Sequence, residues 1–113
     1  MTDTTAFIQN GATAAITANT SAPTAVQILP NFTASIPPRN QYRVVNVGSV
    51  TAFLGAGATA AIAATNAAAV TTTGNAMPIV AGAVEVFSFP PTWYFTATAA
   101  SSCVLYITPG EGL

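Results

Sequence analysis

At 113 residues the chain has the length of one domain. Only 4% of it is charged, against a usual ~25%: two arginines and three acids, no lysine and no histidine, net charge -1. So few cations exclude phosphate-backbone recognition and anionic membrane-surface binding, and the lack of histidine excludes an imidazole base, a Ser-His-Asp triad and a histidine metal site.

The hydrophobic share of 51% is that of a folding chain. A surface this poor in charge is expected to be covered by partners or by copies of itself. The N-terminal "MTDTTAFIQNG" has neither a basic n-region nor an apolar h-region, so no secretory signal is expected. The sequons at Asn19 and Asn31 are then expected to stay unmodified. In "AFIQNGATAAITA" (6–18), Asn10-Gly11 between apolar flanks predicts a β-hairpin. Short strands follow over 24–29, 32–36, 42–47 and 50–54.

The next segment, "AFLGAGATAAIAA" (52–64), matches 6–18 at nine of thirteen positions. It therefore predicts a second hairpin, turning at Ala56-Gly57, and "VTTTGNAMP" downstream adds β-branched and turn residues instead of helix caps. Two rival readings attach to this stretch. A helix over 58–70 fits "AAIAATNAAAV", which has no breaker. A membrane span over 50–70 would be long enough, but it has few strongly apolar residues and no flanking Lys or Trp anchors.

Strands over 83–89, 92–98 and 102–108 complete the pattern. Trp93, Phe95 and Ala97 alternate with Tyr94, Thr96 and Thr98 on opposite faces. Prolines at 23, 30, 37–38, 78, 90–91 and 109 are expected to fall between strands. A looser match pairs 36–54 with 89–107: Pro-Pro, an aromatic-bearing stretch, a small-residue turn, then an apolar strand. Eight or more short strands predict an all-β fold, a single-domain antiparallel β-sandwich or jelly roll over 1–113. The matches divide it into candidate repeat halves, 6–51 and 52–108.

Catalytic chemistry has little to stand on. The one conceivable acid pair joins Glu85 to Glu111 or Asp3, and Glu111 lies in a Gly-rich tail ill suited to a preorganised catalyst. The glycines form neither G-x-x-x-x-G-K nor G-x-G-x-x-G. Cys103 reads as a small buried hydrophobe, with a reactive or intermolecular thiol as the alternative. No catalytic, cofactor or metal residue is assigned. Candidate interface residues are Trp93 and Tyr94, concentrated behind Pro90-Pro91, with Arg39, Arg43 and Glu85. The aromatics read as core packing with an interface edge, as a protein hot spot, or as a sugar-stacking platform. Arg43 reads either as a solvated cation or as the partner of Glu85 or of a carboxylate on another protein.

The segments "YRVVNVGSVTAFLG" and "VLYITPGEG" resemble small virion structural proteins of tailed bacteriophages, most of all capsid decoration or cement proteins. The resemblance implies a non-enzymatic β protein, homo-oligomeric, that contacts the major capsid protein on the capsid surface. No cofactor, small-molecule substrate, nucleic-acid partner or membrane partner is expected, and synthesis in the host cytoplasm is. A head-fibre base or tail component is the structural alternative. A carbohydrate- or receptor-binding module using Trp93 and Tyr94 is the alternative of another class.

Overall fold

Alternation of apolar and small polar residues at period two builds two sheets whose inner faces meet. The computed structural model describes residues 7–29, 41–67 and 75–111. In chain order its elements are β1 (Ile8–Gln9), β2 (Ala14–Ala18), β3 (Val26–Gln27), β4 (Gln41–Asn46) and β5 (Ala52–Gly57). Helix α1 (Ala60–Asn66) follows, then β6 (Met77–Ile79), β7 (Val84–Ser88), β8 (Tyr94–Ala99) and β9 (Cys103–Glu111). The first sheet runs β1-β9-β4-β7, with β2 also on β9; the second runs β3-β8-β5-β6.

Every strand pair is antiparallel, and the pairs have a simple logic. β2:β9, β3:β8, β4:β7 and β5:β6 are the rungs of one long hairpin folded at its middle. Rolling that hairpin adds β4:β9 and β5:β8. This is the strand order of a jelly roll, so the expected all-β sandwich is what forms.

Between the sheets lie Ile16, Tyr42, Val44, Leu105 and Ile107 from the first, and Leu54, Ile79, Phe95 and Ala97 from the second, all buried. At one end the core is aromatic. Phe89 contacts Tyr42, Phe87, Trp93 and Phe95, with ring centroids 5.4 to 6.3 Å apart. Asn46 and Cys103 lie at the buried end of the β4–β5 connection. The Asn46 amide donates to the carbonyls of Val50 (2.9 Å) and Ile79 (2.8 Å), and its oxygen accepts from Gly48 N–H (2.8 Å). The Cys103 sulfur lies 3.1 Å from Asn46 Oδ1 and 3.3 Å from the Val50 carbonyl. Cys103 is thus the small buried residue expected, and Asn46, which composition did not single out, ties the two sheets together.

Four expectations are corrected. Asn10-Gly11 is not a hairpin turn: β1 and β2 both lie along the same side of β9, Gln9 opposite Gly110 and Ala14 opposite Ile107. Residues 10–13 face only Thr108 and Pro109, so the turn signal makes a bulge, with Gly11 at φ 135°. Residues 52–64 are likewise no hairpin. They form β5, then α1, with Thr59 as N-cap accepting from Ile62 N–H at 3.2 Å. The rival helix over 58–70 forms over Ala60–Asn66, with 68–70 outside the described residues, whereas a membrane-spanning helix over 50–70 does not describe this stretch, because 52–57 is strand. Third, two prolines lie within strands. Pro78 is in the edge strand β6, where a missing donor faces outward. Pro109 is in β9, where its carbonyl accepts from Asn10 N–H (2.8 Å), so its missing N–H points at the bulge. Fourth, the 24–29 strand shortens to Val26–Gln27, while 32–36 lies outside the described residues.

The two internal matches fare differently. Residues 14–18 are strand and their counterparts 60–64 are helix, so the near-identical pair is not structurally equivalent. The looser match is: it carries β4 onto β8 and β5 onto the body of β9. Register agrees throughout, since Gln41↔Gly110 maps onto Tyr94↔Gly57 and Asn46↔Leu105 onto Ala99↔Ala52.

Candidate interaction surface

The outer faces of the two sheets differ in what covers them. On the second sheet, β5 turns Phe53, Gly55 and Gly57 outward, beside Thr98, Thr96 and Tyr94 of β8. Helix α1 folds straight back onto these glycines. A Cβ on Gly55 would fall on the backbone of Ala63 and Ala67, and one on Gly57 would fall on Ile62. Hydrogen bonds fix the helix at both strands: Asn66 Nδ2 donates to the Ala56 carbonyl (2.9 Å) and Thr98 Oγ1 to that of Ala67. The segment after β2 covers the next part, as Thr96 Oγ1 donates to the Pro23 carbonyl (2.7 Å) and Asn19 bridges to Thr98.

The outer face of the first sheet carries no such layer among the described residues. Register arranges it in rows. One row is Ala15–Tyr106–Val45–Val84, running across the whole sheet. On one side lies Thr17–Val104, continued by Val47 through its N–H to the Val104 carbonyl. On the other lies Thr13–Thr108–Arg43–Val86, the two threonine hydroxyls 2.7 Å apart. Tyr106, Val84 and Val47 are 43%, 50% and 53% exposed. A contiguous apolar area of this kind marks contact sites on soluble proteins.

Arg43 is exposed near the middle of this face. Directly paired residues share a face, so Arg43 lies with Val86 and Thr108, while Glu85, opposite Val44, belongs to the inner side. The two are therefore not paired. Glu85 instead places an exposed charge on the edge strand β7, on the side of Val44, a feature that discourages strand-on-strand addition. The other edges are blunted too: Pro78 on β6, the bulge between β1 and β2, and the two-residue length of β3. Contacts are left to faces, not edges.

Trp93 and Tyr94 do not form one platform. Trp93 is half-buried, packs on the core and stacks on Phe89 at 5.9 Å, whereas Tyr94 is paired with Gly57 and Gln27 on the outer side of β8. The alternation expected over 93–98 is therefore what forms. Trp93 also lines a groove of about 350 Å³ with Phe89, Met77, Asn66 and Asn75. Arg39 lies outside the described residues. The face around Tyr106 and Val45 was missed by sequence reasoning, although its signal was present: "VLYIT" and "YRVVNV" alternate with apolar residues on both parities. No family model matches the chain, and neither a curated protein nor a solved structure shows significant similarity to it.

Proposed function

We propose that the chain is a non-enzymatic structural protein of a phage particle. It decorates or cements the capsid shell through contacts with the major capsid protein and copies of itself. The observation that carries this reading is the nearly uncharged outer face of the first sheet, which no layer of described residues covers, set against a second sheet that the chain covers with its own helix. A jelly roll is also the architecture of many viral capsid domains, but lectins and cupins share it, so the fold alone decides nothing. Burial of Val and Tyr side chains on a flat partner is an association that salt does not screen. The test is retention on purified particles through a wash at ~1 M salt, where the Debye length is ~3 Å. Retention is expected, and complete release would count against the reading. A head-fibre base or tail component is the structural alternative, and the position of the chain in the particle separates the two.

The groove beside Trp93 favours a second reading, a glycan- or receptor-binding module. Aromatic faces with nearby amides suit a neutral sugar ring. Glycan-array binding lost on Trp93→Ala would support it.

A further inference from the structure

We propose that the outer face of the first sheet docks onto a different protein whose surface is apolar with one carboxylate placed opposite Arg43, and not onto a second copy of this chain. The inference rests on the structural-protein reading and specifies the chemistry of the shell surface it needs. Four strands at ~4.8 Å spacing and three rows of outward residues make a flat patch roughly 20 Å by 15 Å. Within it every described side chain is uncharged except Arg43. Its cross-strand neighbours offer it nothing: Val86 is apolar, and the Thr108 hydroxyl is engaged with Thr13. Among the described residues the guanidinium has no hydrogen-bond or ion-pair partner, and Glu85 lies on the other side of the sheet.

This arrangement discriminates between occupants. Two copies packed face to face would bury two guanidinium groups against Val, Tyr and Thr, with no carboxylate among the described residues of either face. An unpaired buried charge is among the costliest things an interface can contain. A foreign apolar surface with one Asp or Glu in register changes the sign of that term. It gives the planar guanidinium a bidentate acceptor in a water-poor site. Strand addition is no way around the problem, because the sheet edges are blunted. Copies of the chain can meet only through other surfaces.

The test uses particles assembled without this chain, to which the full-length chain is added and its bound fraction measured by co-sedimentation. All substitutions are at exposed positions, and each variant is first checked for an unchanged thermal midpoint. Wild type is expected to bind. Arg43→Glu and Val84→Glu should weaken binding at least 100-fold, and Arg43→Lys, which keeps the charge without the fork, about tenfold. Ala61→Glu, on the helix side, should bind as wild type. In parallel, free Tyr106→Cys is oxidised at high concentration and should stay monomeric on a non-reducing gel. Rapid disulfide-linked dimers there would overturn the inference in favour of self-contact. Binding of wild type with an undiminished Arg43→Glu would overturn it while leaving the structural-protein reading standing. Failure of the wild type to bind would overturn both.

Discussion

Replacing Gly55 by alanine tests how the Ala-rich segment is held. A methyl group there would fall on the Ala63 carbonyl oxygen and the Ala67 nitrogen, and within 2.6 Å of Ala67 Cα. These are backbone atoms of the helix end, so no side-chain rotation relieves the clash and α1 must lift from the sheet. Overpacking of this kind costs about 1–3 kcal/mol. Lifting the helix also loosens the Asn66–Ala56 and Thr98–Ala67 hydrogen bonds, each worth about 1 kcal/mol. Against this stands a gain of about 0.4–1 kcal/mol from the lower unfolded-state entropy of alanine. The expected net loss is about 2–3 kcal/mol, or a fall of about 10 °C in the thermal midpoint of a domain this size. Urea denaturation followed by circular dichroism measures it. Gly82→Ala is the control: φ is +79° but nothing lies within 4 Å of a Cβ, so only the backbone penalty of about 1 kcal/mol applies. If Gly55→Ala is as stable as wild type, or costs no more than Gly82→Ala, the helix does not pack on this strand.

Three further outcomes are expected. Burial pushes the Tyr42 hydroxyl from 10.0 up to about 12, and it donates to the Ile28 carbonyl at 3.2 Å. The folded state then holds this proton longer than the unfolded chain, so stability is unaffected below about pH 10 and falls by up to about 3 kcal/mol as pH rises to 12; Tyr42→Phe should flatten that part of a stability–pH curve, and an unchanged slope would contradict it. Asn46→Leu removes the partners of two carbonyls and one N–H at a buried site, and should cost about 3 kcal/mol by chemical denaturation. Trp93→Ala should cost about 2–3 kcal/mol by the same assay, because the ring is half-buried on Phe89.

Much of the fold was legible because its strands alternate. "YRVVNV", "AVEVFSF", "TWYFTAT" and "SCVLYIT" each fall on an observed strand, and Phe95 and Ala97, expected on one face, are both buried in the core. The 52–64 segment was misread because local sequence is not what decides it. Its near-copy at 6–18 has Gln9 where β5 has Gly55, and only the glycine leaves room for a helix folded back on the strand. The shared threonine then takes two roles: Thr59 caps α1, while Thr13 bonds to Thr108 on β9. Similarly, Asn10-Gly11 specifies a left-handed backbone but not which strand the chain pairs with next, so a bulge and a hairpin look alike in sequence. The candidate surface was half legible. Arg43 and Glu85 stood out by charge, yet their placement on opposite faces depends on β4–β7 register, which residue types alone do not fix.

The central claim is that this chain is a structural component of a phage particle, seated on the shell by the outer face of its first sheet. Cryo-electron microscopy of the native particle at side-chain resolution tests it most directly. The account predicts density for the eight-stranded roll on the outer capsid surface, with Tyr106, Val45 and Val84 against the major capsid protein and a carboxylate of that protein at Arg43. Particles that lack the chain, or that hold it with this face toward solvent, would contradict it.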